Sequence, residues 1–233
     1  MAPDTDKYIK ALAEISRAIT SEQYLEDILK LIVMVTAKVT GVEICSLWLI
    51  EDAHGKSVIR LKATQAFEPE YVLDRILNMD EGVVGHVATY KKPIIIRDVL
   101  KDDRFKEKKM AKKLGLVSMV GIPMQIKNEE VIGVLNCFTS VPHDFPETDV
   151  NLITAVANQA AVAIQNTKLM VDAKVIREEL ETRKLVERAK EVLIRKRKME
   201  VDEAFRWIQK RSMDSRKPLR EIAEAVLLSE DLY

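Results

Sequence analysis

Residues 185–226 read LVERAKEVLIRKRKMEVDEAFRWIQKRSMDSRKPLREIAEAV, and the spacing of their apolar residues predicts three short helices. The first should end near Lys198, the second should run over about 201–213, and the third should begin at Pro218, which suits a first helical position. The residues expected to face inward are Val186, Ala189, Leu193, Ile194, Ala204, Phe205, Ile208, Met213, Leu219, Ile222, Ala223 and Val226. Alanines at positions 189, 204 and 223 would let the three helices approach closely, so this stretch is expected to form a small helical unit.

The positive charge of the chain is concentrated in the same region. Lys and Arg number 37 over the whole sequence, as do Asp and Glu, but residues 183–220 hold 14 basic and 6 acidic residues. Residues 1–182 hold 23 basic and 27 acidic residues. A basic block of this kind attracts phosphate backbones or anionic surfaces, and the alternative is a solvated helix face.

Before this stretch the pattern predicts an α+β domain. Residues 7–40 have helical spacing, with Ser21 as the cap of a second helix and Gly41 as its end. Strands are expected over 44–50, 58–63, 94–96, 117–126 and 131–138, and the last two should pair as an antiparallel hairpin through a turn at 127–130. A short helix or irregular segment is expected over 102–114 and a long helix over 146–171, so helices should flank one antiparallel sheet.

Several segments of this domain, taken in order, resemble the GAF family. They are EGVVGHVA (81–88), PIIIRDV (93–99), SMVGIPM (118–124), VIGVL (131–135), and Phe145, Asp149 and Leu152 followed by ANQAAVAI (157–164). The resemblance implies that residues 1–168 form a sensor that binds a small molecule between the sheet and its cover, or a scaffold for dimerisation. The ligand is unknown. His86 is expected in a turn or rim role, and its alternative role is that of a candidate ligand contact. Gly82 and Gly85 are expected to be turn residues and not a phosphate cradle, since no Walker pattern follows them.

Residues 169–184 are expected to link the two parts as a coiled coil. Leu169, Ala173, Ile176 and Leu180 step by four, three and four, and no Gly or Pro occurs between Pro146 and Pro218. This seam favours a parallel homodimer, and the alternative is an amphipathic helix packed on its own domain.

Residues 180–228, approximately, resemble the ANTAR domain, the RNA-binding output module of transcription antiterminators, and the module is expected over 185–233. The matching residues are Ala189, Lys190, Val192, Leu193, Ile194, Arg195, Glu203, Ala204, Phe205, Ile208, Ser212, Met213, Arg216, Leu219, Ile222 and Ala223. Glu191 departs from the pattern, because the family usually has Gly there.

Eight residues of this module are candidates for contact with RNA, since Lys and Arg bind phosphates and unpaired bases stack on aromatic or Arg planes. They are Lys190, Arg195, Lys196, Arg211, Ser212, Arg216, Lys217 and Arg220. Trp207 is expected to be a core or interface residue, and the alternative is an outward-facing stacking platform. Phe205 is expected mainly in the core.

Other classes of protein find less support in the sequence. Cys45 and Cys137 lie in apolar runs and are too few for a disulfide framework or a zinc site, and the three His share no metal-ligand spacing. No catalytic constellation, membrane span or signal peptide is recognised, so a cytoplasmic protein that is not an enzyme is expected. The predicted function is a signal-responsive antiterminator, in which a dimer of ANTAR heads binds paired stem-loops in nascent mRNA. The alternatives are a duplex DNA-binding regulator and a protein-interaction module.

Overall fold

The computed structural model describes residues 25–66 and 75–231, which contain six helices and six strands. The helices are α1 (Leu25–Thr40), α2 (Gly82–Tyr90), α3 (Lys108–Leu114), α4 (Glu147–Arg197), α5 (Val201–Ser215) and α6 (Leu219–Asp231). The strands are β1 (Ile44–Ala53), β2 (Lys56–Thr64), β3 (Ile76–Asn78), β4 (Ile94–Ile96), β5 (Ser118–Gln125) and β6 (Val131–Thr139). The predicted helix cap at Ser21 lies outside the described residues. The chain divides into two compact units, Met1–Lys168 and Leu169–Tyr233.

The strands form one antiparallel sheet in the order β3-β2-β1-β6-β5-β4. The α+β prediction and the predicted hairpin of β5 and β6 are therefore confirmed, and a short 3₁₀ turn at Lys127–Glu129 joins these two strands. Gly41 ends α1 with a φ of +74°, as its position in the sequence predicted. Strand β3 was not predicted, because its sequence Ile-Leu-Asn lacks the run of β-branched residues that marks the equally short β4.

Each face of the sheet carries its own apolar core. On one face, Leu47, Ile122 and Leu135 pack with α1 and with the part of α4 that contains Ile153 and Ala160. On the other face, a second set of side chains packs with α2 and with the segment between β4 and β5. That set includes Trp48, Ile59, Val134, Met119, Phe138, Val87 and Phe105. Because both faces are covered, the central strands are almost continuously buried.

Gly133 marks the closest approach between β6 and its neighbours. A Cβ atom at this position would collide with the carbonyl oxygen of Trp48 and would lie 2.5 Å from the Cε atom of Met124. The strands can keep this spacing only because residue 133 has no side chain.

The expectation that Gly82 and Gly85 are turn residues is wrong for Gly85. Residues from Gly82 to Tyr90 form α2, in which Gly82 begins the helix with a φ of +64° and Gly85 lies inside it. A Cβ on Gly85 would lie 2.8 Å from the backbone of Asp80, so the glycine lets the helix pack against the preceding turn. The two glycines therefore mark the start of a helix that packs closely against the turn before it, and not a turn alone.

In the second unit, the C-terminal part of α4 (residues 185–197) packs with α5 and α6, and these three helices are called the head. Its core consists of Val186, Ala189, Val192, Leu193, Ala204, Ile208, Ala223 and Val226. The three alanines are fully buried, as predicted. None of the described helices has an apolar stretch long enough to cross a bilayer.

Two residues predicted to face the core of the head do not. The side chain of Phe205 is 40% exposed and that of Met213 is 74% exposed. Buried Ile208 defines the inward face of α5, and at roughly 100° per residue Met213 lies about 140° away from it. Phe205 lies about 100° from buried Ala204, at the edge of the inward face.

Candidate functional site

A groove of about 430 Å³ opens between the three helices of the head and is called the basic groove. Its floor is apolar and includes Leu193, Ile222 and Val226. Its rim carries Lys196 and Arg197 from α4, Trp207 and Arg211 from α5, and Lys217 from the turn before α6, and one acid, Glu221 of α6, also lines it. The volume falls in the range of about 300–1,000 Å³ that is usual for ligand sites.

Trp207 forms a cationic stack with two arginines of the rim. The guanidinium carbon of Arg197 lies 4.8 Å from the centroid of the indole ring, and that of Arg211 lies 5.9 Å from it. Both distances are within the range of a cation–π interaction. The indole is half-buried, with its inner part against the core of the head.

Three of the predicted RNA contacts, Lys196, Arg211 and Lys217, line this groove. They come from α4, α5 and the turn before α6, so the fold brings together cations that are up to 21 positions apart in the sequence. The Nζ atom of Lys217 lies 3.3 Å from a carboxylate oxygen of Glu221, and both side chains are more than half exposed. Such an exposed ion pair is weak, which leaves Lys217 free to exchange partners.

The other predicted cations lie off the groove. Lys190 is paired with Glu187 at 2.8 Å, and its side chain is 15% exposed. Arg220 lies 2.9 Å from Glu224, whose carboxylate raises the pKa of the guanidinium. Arg195 is exposed on α4 and is not among the residues that line the groove.

Ser212 and Arg216 shape the turn between α5 and α6. The hydroxyl of Ser212 donates to the carbonyl of Lys217 at 2.6 Å, and the Lys217 amide donates back to the Ser212 carbonyl at 3.1 Å. Arg216 ends α5 in the left-handed region, with a φ of +54°. Both residues thus have a structural role in addition to the predicted one, and the exposed Arg216 side chain stays a predicted RNA contact.

Arg197 is not among the predicted RNA contacts, and Trp207 was predicted to be a core or interface residue, with a stacking platform as the alternative. In the sequence, Arg197 is one of four consecutive basic residues, Arg195 to Lys198. The sequence alone does not show which of the four side chains faces α5. Exposed Phe205 lines a separate groove of about 570 Å³ with Val175, Val186 and Leu219. Glu178, Glu179 and Glu187 also line that groove, against one basic residue, Arg183, so its net charge is negative.

A small cavity of about 40 Å³ lies in the first unit between the sheet and α2. It is lined mainly by apolar side chains, including Trp48, Val83, Met119 and Phe138. The side chain of Asn136 also reaches it, and its Oδ1 atom is buried without a hydrogen-bond partner in the described part of the chain. A cavity of this size has room for about one water molecule.

His86, the candidate ligand contact, lies on α2 and is not among the residues that line this cavity. Its Nδ1 atom is 2.8 Å from the carbonyl oxygen of Gly82, and its ring lies 5.8 Å from that of Tyr90. These contacts are made within one helix. A ligand role for His86 stays a prediction.

Comparison with known families matches both parts of the chain. Residues 22–165 match the model of the GAF domain, and residues 174–227 match the model of the ANTAR domain. Over 77 residues the chain is 42% identical to the transcriptional regulatory protein PdtaR of Mycobacterium tuberculosis. The match covers 33% of this chain and 38% of that relative, so the two proteins share only part of their length.

Solved structures agree with the fold of the first part. The GAF domain of a phosphoenolpyruvate-protein phosphotransferase from Coxiella burnetii is 25% identical, with a TM-score of 0.62, over 72% of this chain and 99% of that one. The corresponding domain from Acinetobacter is 25% identical, with a TM-score of 0.58, over 71% of this chain and 97% of that one. The chain belongs to the GAF family and carries an ANTAR domain after its GAF domain.

Proposed function

We propose that this protein is a signal-responsive RNA-binding regulator that acts by transcription antitermination. The observation that carries the proposal is the ANTAR match over residues 174–227, within which Lys196, Arg211 and Lys217 line one groove with Trp207. Cations bind the phosphates of RNA, and aromatic or guanidinium planes stack on its unpaired bases. The mechanism is electrostatic and positional, and it requires no enzymatic step.

The proposal includes a parallel homodimer. The side chains of Leu169, Ile176 and Leu180 are 53–57% exposed in the single chain, although they are apolar and have heptad spacing. A second copy of the helix would cover them. Two heads joined in this way could each bind one loop of a paired stem-loop, and bivalency would raise the affinity. In this proposal the chain consists of a sensor domain over 1–168, a coiled-coil linker over 169–184 and the head over 185–233.

The proposed signal enters through the GAF domain, as a small molecule or a partner. In the present conformation the cavity beside Asn136 has room for about a water molecule, so a larger effector would require α2 or its neighbours to move. Binding would alter the dimer or its linker, and the heads would then hold the stem-loops of an mRNA leader against a competing terminator hairpin. The site of action would be the cytoplasm.

The first experiment measures RNA binding against duplex DNA. The full chain is titrated with a leader RNA that contains two hairpin loops, and a DNA duplex of equal length competes at matched salt. We expect the protein to bind the RNA with at least about tenfold higher affinity than the duplex, since an RNA loop offers unpaired bases that a duplex does not. Preference for the duplex would favour the alternative of a DNA-binding regulator, and binding of neither would favour a protein-interaction module.

A matched pair of double variants tests the groove. Arg211→Gln with Lys217→Gln removes two cations of the groove, whereas Arg206→Gln with Lys210→Gln removes two exposed cations that do not line it. The slope of log affinity against log salt should fall by about 0.7–0.9 for each lost phosphate contact. We expect this change in the groove variant and not in the control. Equal effects would show that only total charge matters.

A further inference from the structure

We propose that the basic groove is a pocket for one unpaired ribonucleotide, whose base stacks in the layer formed by Arg197, Trp207 and Arg211. The inference rests on the proposed RNA-binding function and names the part of the RNA that enters this site. The indole of Trp207 is only half-buried and lies at the rim of the groove.

The rim presents flat surfaces of the kind that hold a base. The Arg197 guanidinium lies 4.8 Å from the indole centroid, and the Arg211 guanidinium lies 5.9 Å from it. A nucleobase has an exposed π-face only when it is unpaired and unstacked, so this layer selects single-stranded nucleotides. A base that stacks on the indole takes the place of one guanidinium, which can then stack on the base or bind its phosphate.

The remainder of the groove fits the other parts of a nucleotide. The apolar floor at Leu193, Ile222 and Val226 offers a dry surface beside the ring system. Lys217, whose exposed ion pair with Glu221 spans 3.3 Å, can turn to a phosphate when the nucleotide enters. An acidic peptide would use the cations alone and would leave the indole face and the floor without a role, which favours a nucleotide as the occupant.

The experiment uses the full chain and a two-hairpin RNA selected from a pool with randomised loops. The fluorescent base analogue 2-aminopurine replaces each loop nucleotide in turn. We expect one loop position to lose fluorescence when the wild-type protein binds, because that base stacks in the groove. The indole emission of the wild type should be quenched in the same titration, and Trp207→Phe should remove this quenching while the second tryptophan, Trp48, remains.

Affinities of three variants complete the test. Trp207→Ala should weaken binding by roughly 5- to 150-fold, the usual effect of removing a base-stacking aromatic, and Trp207→Phe should weaken it by less. Phe205→Ala is the matched control, because Phe205 is an exposed aromatic on the same helix that lies outside this groove. Its affinity should equal that of the wild type. Circular dichroism checks that each variant is folded.

The outcomes separate this inference from the proposed function. If the wild-type protein binds the RNA but no loop position reports stacking and the indole is not quenched, the groove is not a base pocket, while RNA binding stands. This measurement uses only the wild-type protein, so it does not depend on whether any variant folds. Equal weakening by Trp207→Ala and Phe205→Ala would also overturn the inference. If the wild type binds no RNA from the pool, the proposed function and this inference fail together.

Discussion

The hydroxyl of Ser212 donates a 2.6 Å hydrogen bond to the carbonyl of Lys217, which closes the turn between α5 and α6. The hydroxyl predicted to meet RNA therefore already holds the segment that carries Lys217 to the basic groove. Ser212→Ala should destabilise this turn by about 0.5–1.5 kcal/mol. Hydrogen exchange at the Lys217 amide, which donates to Ser212, should become faster by roughly 2- to 10-fold. In the control Ser215→Ala, the lost bond lies within α5, so exchange at Lys217 should stay unchanged.

Arg216 allows charge and backbone strain to be tested separately. With a φ of +54°, it occupies a region that glycine adopts without strain. Arg216→Gly should stabilise the head by about 1 kcal/mol in urea unfolding and should weaken RNA binding if the charge meets a phosphate. Arg216→Lys keeps both the charge and the strain, so its stability should match that of the wild type. A glycine variant less stable than the wild type would contradict this account.

The exposed heptad positions predict the oligomeric state. Ile176→Asp places a charge in the proposed seam and should convert a dimer into a monomer in sedimentation equilibrium at micromolar concentration. Val171→Asp is the control, because Val171 is equally exposed, at 56% against 57%, but lies off the seam. Dimers that persist in the Ile176 variant would place the contact between copies elsewhere.

The two cysteines should be unreactive in the folded protein. Their Sγ atoms lie 3.5 Å apart between β1 and β6, both residues are fully buried, and burial raises the pKa of the Cys45 thiol. Since only the thiolate is a good nucleophile, alkylation by iodoacetamide should be slower than in denaturant by on the order of 100-fold or more. Val171→Cys provides an exposed thiol as the positive control. Rapid labelling of the native wild type would show that the sheet opens.

The turn before α2 should make stability depend on pH. The backbone amide of Asn78 donates to the Glu81 carboxylate at 3.0 Å, and this bond, with further help from the Asn78 side chain and Lys106, lowers the pKa of Glu81. The folded state thus favours the charged form. The resulting stability is present above the ordinary value of 4.5 and is lost as the pH falls through the lower folded value.

Glu81→Gln should therefore be less stable than the wild type at neutral pH, and the difference should shrink as the solution is acidified below about pH 4.5. Thermal unfolding of both proteins at several pH values measures this difference in stability. The exposed Glu130 supplies the control, since Glu130→Gln should leave the acid dependence as it is in the wild type. A constant difference across the pH range would assign the effect to something other than this carboxylate.

The sequence predicted the long strands and the helices of the head because their apolar residues repeat at regular intervals. It missed β3, which lacks the β-branched run of the equally short β4, and it missed α2, whose Gly82 and Gly85 resemble turn residues. For the site, the basic composition of the head selected Lys196, Arg211 and Lys217, which line one groove. The family resemblance selected other cations, Lys190 and Arg195 among them, which do not line it. Neither could reveal that Arg197 stacks on Trp207 or that Ser212 closes a turn, since those contacts depend on how three helices pack.

The crowding at Gly133 has a use in comparing distant relatives. The solved GAF domains from Acinetobacter and Coxiella burnetii are 25% identical to this chain, a level at which a strand can be misaligned by a residue or two. A relative that keeps the β1–β6 pairing has no space for a side chain opposite the Trp48 carbonyl. Residue 133 therefore serves as a fixed reference point, from which the register of the neighbouring strands can be counted in each relative.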